Sequence, residues 1–408
     1  METAEVIIIG AGVVGASTAF SLARRGVTDV LVLERRQVAS GATGKSSGLV
    51  RMHYTNPLET RLAFQAYQWF KHWDDIVGGH CGFVQTGLLR LVTPDLTEKL
   101  RANVRMQQDL GVNTRVVSRE EIAEVQPGLW LDDVDLAAYE PEAGYADPPS
   151  VAYSLMTAAR ERGVRLRTGT AVTKITTQGG RVTGVETDQG PVAAPTVLIA
   201  ANAWSRPLLQ SVGQDLPISV ERHEVAVAER PPALAGGHVT VLDGPLDTYF
   251  RVEGSNLTLI GTGSGEPADP DRYNEATTAA HIERVGERLS QRFPAMRDAG
   301  VRRSLAGIYD MTPDDLPVLD RVPGAEGLYC AVGFCGHGFK ISPAVGAVMA
   351  ELMTTGGTLA IDRHPVRFGR FAEGDYSLSP TDYLDRMTPQ AAAGRGNTAA
   401  DQQPIQAG

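Results

Sequence analysis

An α/β fold with a second part built on antiparallel sheet is what this sequence predicts, and three observations predict it. The chain opens with a β-α-β unit: "EVIIIG" reads as a short β-branched strand, "AGVVGASTAFSLARRG" as a helix closed by Gly26, and "DVLVLER" as a second strand. From about Leu216 to Leu259 the sequence alternates apolar and polar residues and is punctuated by proline ("ISVERHEVAVAER", "TYFRVEG", "NLTLIGTG"), the pattern of antiparallel sheet. "GLYCAVGF" then returns to the first kind of strand and precedes an apolar stretch, "ISPAVGAVMAELM", that reads as a helix.

The remaining elements follow in chain order. A glycine-rich loop spans Ser40 to Gly48, and a helix is expected over Pro57 to Asp75. Further helices are expected after Pro94 ("DLTEKLRANVRMQQDLG") and over Ser150 to Gly163. Strands follow at "VRLRTG", "AVTKITTQGGRVTGVETDQG" and "TVLIAAN", and a helix is expected over Glu275 to Phe293. After about Thr388 large apolar side chains almost vanish, so 388–408 is expected to be a disordered tail. This pattern divides the chain into a discontinuous nucleotide-binding part, 1–80 with 150–215 and 320–375, and a substrate part, 81–149 with 216–319.

Composition narrows the classes. At 408 residues the chain exceeds one ordinary core, and 42% hydrophobic with 21% charged residues is the balance of a soluble globular protein. A net charge of −10 without a local basic patch argues against nucleic acid or an anionic membrane as partner. The apolar run Val6 to Ala23 is preceded by acidic residues and broken by glycines, unlike a signal peptide or a membrane span. Cys81, Cys330 and Cys335 are odd in number and lack the paired spacing of a zinc site, so a reducing, cytoplasmic setting without structural metal is expected.

Gly10, Gly12 and Gly15 form G-x-G-x-x-G directly after the first strand and at the head of the first helix. The first glycine permits the tight turn, the second lets backbone approach a pyrophosphate, and the third lets helix and strand pack closely. The helix N-terminus presents amides and partial positive charge to the phosphates. Glu34, ending the second strand, is placed for a ribose hydroxyl and argues against a 2′-phosphate, although Arg35 and Arg36 follow it. A Rossmann-like dinucleotide site follows, with NAD and FAD both open.

Together with "SGATGKSSGLVRMHY", "GIYDMTPDDLPVLD" and "GFCGHGFKISPAVG", the chain resembles the flavin-dependent amine and amino-acid oxidase family that includes D-amino-acid oxidase, glycine oxidase and monomeric sarcosine oxidase. The likeness runs from Val6 to about Leu352 and is strongest to the sarcosine and dimethylglycine branch. It implies FAD, with the ADP half on the N-terminal unit and the ring at the interface with the antiparallel-sheet domain. Cofactor contacts are then expected at Gly10, Gly12, Val13, Val14, Gly15, Glu34 and Arg35, and in the loop at Thr43, Ser46, Ser47 and Gly48. Val172, Ala201 and Trp204 are expected to add to them, as are Gly333, Gly336, His337, Gly338, Phe339 and Lys340 of the C-terminal motif. There the bare backbone would pass against the ring, and the following segment would aim amides at its developing negative charge. The resemblance also implies that Lys340 and Arg51 bind the substrate carboxylate, while Tyr309 and Tyr249 shape the pocket. Each charge-assisted hydrogen bond of such a clamp contributes about 1.5–3 kcal/mol. His53 and His337 are read as structural, since hydride abstraction from a neutral amine needs no strong protein base.

Two departures from the branch matter. The cysteine that tethers flavin in the sarcosine oxidases is replaced by Gly307, and the tethering histidine of the dimethylglycine enzymes by Lys45. FAD is therefore expected to be non-covalent, with Cys330 and Cys335 as inert packing residues. The lysine that promotes reaction with dioxygen in the monomeric sarcosine enzymes has no counterpart in "NLTLIG", where Thr258 or a neighbour stands. Oxidase and dehydrogenase stay open. The expected activity is oxidation of the C–N bond of a small N-alkyl or cyclic amino acid or amine by hydride transfer to flavin N5. The imine would then hydrolyse, and electrons would pass to dioxygen or another acceptor. Rival readings are a catalytic subunit of a multi-subunit amino-acid or opine dehydrogenase with partner chains, a tailoring oxidase for a large secondary-metabolite amine, a non-catalytic flavoprotein, and a colourless NAD enzyme.

Overall fold

The computed structural model describes residues 2–358, 360–376 and 378–383. The expected tail at 388–408 lies outside the described residues.

Two sheets organise the molecule. The first has six strands in the order Arg165–Arg167, Val30–Leu33, Val6–Ile9, Thr196–Ile199, Leu328–Val332 and Val318–Arg321. Its pairs are parallel except the last, which is antiparallel. Val6–Ile9 and Val30–Leu33 are buried throughout, as an unbroken β-branched run demands when helices cover a sheet. The helix Val13–Arg24 packs against both Gly338–Thr355 and Pro148–Arg160, joining the two ends of the chain in one core. Fully buried side chains such as Phe20, Leu22 and Leu62 each stabilise this layer by about 1.5–3 kcal/mol. Strand order reverses direction at Val6–Ile9, so a crevice opens between its C-terminal end and that of Thr196–Ile199.

The second sheet has nine strands. Its path runs Glu266–Pro267, Ser219–Glu229, Leu257–Thr262, Thr248–Glu253, Thr240–Asp243, Leu88–Leu91, Leu136–Glu140 and Arg115–Ser118, with Val301–Met311 paired to Ser219–Glu229. Every pair is antiparallel except Thr240–Asp243 with Leu88–Leu91. Helix Ala279–Arg292 covers one face and ends in Arg292, which is fully buried and doubly bonded to both Asp133 and Asp243 at 2.6–3.0 Å. Two smaller sheets join Glu2–Thr3 to the hairpin Val172–Gln178 and Arg181–Thr187, and Leu49–Val50 to Gly144–Tyr145 and Val84–Gln85.

Several bounds differ from the sequence expectation for local reasons. The helix from Pro57 stops at Lys71 and a separate turn runs Trp73–Ile76, because His72 leaves helical geometry at φ −118°. The helix expected from Glu275 begins at Ala279: Thr278 caps it, and the Glu275 carbonyl instead accepts the Ala306 amide at 2.9 Å. Strands Leu88–Leu91, Arg115–Ser118 and Leu136–Glu140 were not expected from the sequence, nor was Val301–Met311 as an eleven-residue strand.

Candidate functional site

The crevice at the strand reversal widens into a cavity of about 410 Å³. At its base Gly10 has φ +107°, and a Cβ there would lie 2.5 Å from the Ala200 carbonyl oxygen; one on Gly15 would lie 1.9 Å from the Gly10 oxygen. The fingerprint glycines are thus required by contact as well as by turn geometry. Gly12 occupies the N-cap of the first helix without a side chain to block the first-turn amides, and Val13 N–H donates to Thr43 Oγ1 at 3.1 Å. Gly10, Gly12, Val13 and Val14 line the cavity, whereas Gly15 is spent on packing. Glu34 lines it too, its carboxylate fixed by the amides of Ala11 at 2.9 Å and Arg36 at 2.8 Å. This bare, amide-rich cradle with one fixed carboxylate fits an ADP-bearing cofactor.

Thr43, Ser46, Val172, Ala201 and Trp204 continue the lining. The segment 270–275 adds Pro270, Asp271, Tyr273 and Glu275 to the lining, and two other lining cations hold it. Arg35 pairs with Asp271 at 3.0 Å and lies 3.9 Å over the Trp204 ring, whose Nε1 also donates to Asp271. Lys45 pairs with Glu275 at 2.8 Å and donates to the Tyr273 hydroxyl at 2.5 Å. The two positions where relatives would carry a tether meet here, since a Cβ on Gly307 would lie 2.9 Å from the Lys45 Cβ. Neither Cys330 nor Cys335 lines the cavity, and burial pushes both thiols far up.

Asp310, which sequence reasoning passed over, is what shapes the C-terminal motif. Fully buried on Val301–Met311, it accepts the amides of Gly333 at 2.6 Å and Phe334 at 3.1 Å and the Asn202 side-chain amide at 2.7 Å. Burial raises its carboxyl to about 6, against the pull of those amides. Next to it the Tyr309 ring crosses Gly336, where a Cβ would fall 2.4 Å from the ring, and stacks on His223 at 3.9 Å. Tyr309, Gly336, Gly338 and Phe339 line the large cavity. Gly333, Ser47, Gly48 and Tyr249 stand behind this lining; Tyr249 interacts with Tyr309 and the Ser47 hydroxyl and is raised by burial. Thr258 points elsewhere, bonded to His238 Nε2 at 2.8 Å.

His337 faces the other way. It lines a second cavity of about 210 Å³ together with Arg51, His53, Tyr54, Glu59 and Arg90. Its Nδ1 meets Glu59 at 2.7 Å; burial raises the Glu59 carboxyl, but His337 opposite it and Asn56 bring it below the ordinary range. Arg51 donates to the His53 carbonyl oxygen and lies 4.2 Å over the Tyr54 ring, with no carboxylate within 4 Å among the described residues. Lys340 is buried behind, its ammonium 3.5 Å from the Gly336 oxygen, and burial with the nearby Arg51 charge depresses it well below the usual lysine range. Glu140, also missed from sequence, lies fully buried near Arg51, accepts the Met52 amide at 3.1 Å and is raised by burial to about 7. The segment 378–383 forms the outer wall: Tyr383 bonds His53 Nε2 at 2.8 Å, and Lys99 and Asn103 hold the carbonyls of Asp382 and Thr381. The chain contact between the two cavities is therefore the motif 336–340 itself.

Comparison with known proteins bears on this architecture. The profile of the family described as "FAD dependent oxidoreductase" matches residues 5–352. Rat (Rattus norvegicus) mitochondrial dimethylglycine dehydrogenase is 26% identical over 395 residues, covering 92% of this chain but 46% of the relative, so the chain spans less than half of that protein. Sarcosine oxidase subunit beta of Rhizobium meliloti (strain 1021) is 29% identical over 360 residues, covering 86% of this chain and 85% of the relative. The solved structure of L-proline dehydrogenase from P. horikoshii superimposes with a TM-score of 0.86 at 28% identity, over 92% of this chain and 99% of that one.

Proposed function

Because the chain belongs to the FAD-dependent oxidoreductase family typified by the D-amino-acid oxidase fold, we propose that it oxidises the C–N bond of a small amino acid or secondary amine bearing a carboxylate. The observation that carries this reading is the placement of the motif 336–340: Gly336, Gly338 and Phe339 face the cofactor cavity, while His337 faces a second cavity that holds Arg51. A substrate anchored by its carboxylate on the cationic side would present its amine-bearing carbon to the cofactor side.

FAD, when bound, supplies the acceptor for the hydride that leaves the substrate carbon. It would be held without a covalent bond, by Gly10, Gly12 and the first-turn amides, by Glu34, and by the clasp of Lys45 on Glu275 and Tyr273. Gly338 and Phe339 open the helix Gly338–Thr355, whose first turn has no side-chain cap; its free amides support negative charge developing in the adjoining cavity. Arg51 and Lys340 bind and orient the carboxylate, Tyr309 and Tyr249 limit the space beside it, and Glu59 keeps His337 in place. None of these groups is asked to take a strong-base role. The likeness to relatives named for sarcosine, dimethylglycine and L-proline supports N-alkyl or cyclic amino acids as substrates, with electrons passing to dioxygen or to a carrier. The relative named as a β subunit supports a version of this activity that works with partner chains.

The test is an anaerobic absorbance titration of the yellow protein with sarcosine, N-methyl amino acids, proline and both enantiomers of common amino acids, followed by air. Bleaching by one of them is the expected result, and the speed of recolouring separates oxidase from dehydrogenase. A protein that none of these bleaches would overturn the proposal.

A further inference from the structure

Arg90 is hard to explain by folding alone. It sits on strand Leu88–Leu91, where Leu88, Leu89 and Leu91 are fully buried, yet its guanidinium faces the second cavity beside Arg51. Among the described residues it has no hydrogen-bond acceptor and no carboxylate within 4 Å; its close contact is the face of the Tyr383 ring, 4.9 Å away. Other charges of the cavity are already engaged. Glu59 is held by Asn56 and His337, and Asp314 by Arg370 at 2.8 and 2.9 Å, while Asp382 lies near enough to favour the Arg90 charge without an ion pair to it inside 4 Å. Asp243, the carboxylate on the neighbouring strand, is taken by Arg292. Burial and the Arg51 charge work against the charge on Arg90, while Tyr383, Asp243 and Asp382 favour it, and burial together with the two guanidinium groups depresses His53. Two partly desolvated guanidinium groups therefore face one small cavity, neither with a carboxylate within 4 Å among the described residues, and their unused donors suit an anionic ligand.

We propose that Arg90 is a substrate-binding residue that, beside Arg51, receives a second carboxylate of the substrate, so that this protein acts on dicarboxylic amino acids. The inference rests on the amine-oxidising reading above and extends it. Lys340 and Arg51 hold the carboxylate nearest the reacting carbon, and Arg90, flanked by His53 and Tyr383, takes the one further out. Planar forks suit this role, because a guanidinium binds a carboxylate through two parallel hydrogen bonds.

The experiment uses the FAD-loaded full chain and reads ligand binding, by flavin difference spectrum and by thermal shift, for acetate and propionate against malonate, succinate and glutarate. The expected result is that the best diacid binds at least about tenfold more tightly than the monoacids and that Arg90→Met collapses this ratio, because a charge-assisted pair is lost. Should Arg90→Met lose its flavin, Arg90→Lys carries the same test, with the ratio reduced at least about threefold because the fork is gone. Equal binding of mono- and diacids by the unmodified protein, or an unchanged ratio in the variant, overturns the inference. Failure of the amine-oxidising reading shows separately: no amine, including N-methylaspartate and iminodiacetate, would bleach the flavin even though the diacid ratio held.

Discussion

Single side chains of this site are dominated by burial, and their titration exposes it. In the proposed clamp Lys340 would bind a carboxylate only as the ammonium, and its depressed pKa is then expected to place the alkaline limb of kcat/KM below the ordinary lysine range. Lys340→Met is expected to abolish that limb and, like Arg51→Met, to raise KM for carboxylate substrates by about tenfold or more while leaving FAD content intact, as steady-state kinetics with flavin quantitation will show. Glu140 gives a stability test with a definite sign. Its folded pKa of about 7 lies above its unfolded value near 4.5, so its contribution is fully present below 4.5 and is lost as pH rises through 7. That loss amounts to about 3 kcal/mol at 1.4 kcal/mol per unit, and Glu140→Gln should flatten the corresponding part of a Tm-against-pH curve. A variant whose curve keeps the same slope would show that another group carries it.

At the scale of elements, the molecule is held by connections that cross between segments far apart in sequence. Arg370 and Asp314 are both fully buried and bonded at 2.8 and 2.9 Å, with the Leu316 carbonyl as a further acceptor. Removing one partner leaves a buried charge, so Arg370→Leu should destabilise by about 3–5 kcal/mol in denaturant titration. The strap 270–275 is a different case, because its ion pairs to Arg35 and Lys45 are partly exposed. Asp271→Asn combined with Glu275→Gln is expected to raise the dissociation constant for FAD no more than about fivefold, and the difference should fade in high salt. A large effect that salt does not touch would mean that the strap acts by shape rather than by charge.

The whole molecule is two sheets around a shared cavity, and a ligand that bridges them should stabilise both. FAD at a hundredfold excess over its dissociation constant adds about 2.7 kcal/mol to the folded state, and stripping it should lower Tm accordingly in a scan with and without added cofactor. The dinucleotide cradle was legible in advance because its physics is local: Gly10, Gly12, Gly15 and Glu34 lie on one strand-turn-helix-strand unit whose spacing sets their geometry. The C-terminal motif was legible through its glycines and through family likeness, which also pointed to Arg51, Lys340 and Tyr309. Arg90, Glu140, Asp310 and Tyr383 were not, because each sits in a stretch that carries no motif of its own, and the lone arginine of "LLRL" reads as one more alternating strand residue. The sequence by itself determined a dinucleotide cradle, because that depends on a short pattern that positions backbone locally, and its likeness to a flavoenzyme family implied FAD and the kind of reaction. Only the tertiary structure decided that Lys45 meets Gly307, that His337 turns away from the cofactor cavity, and that Arg51 and Arg90 share one pocket. Those juxtapositions depend on sheet register and on helices packed from opposite ends of the chain, and no local spacing encodes them.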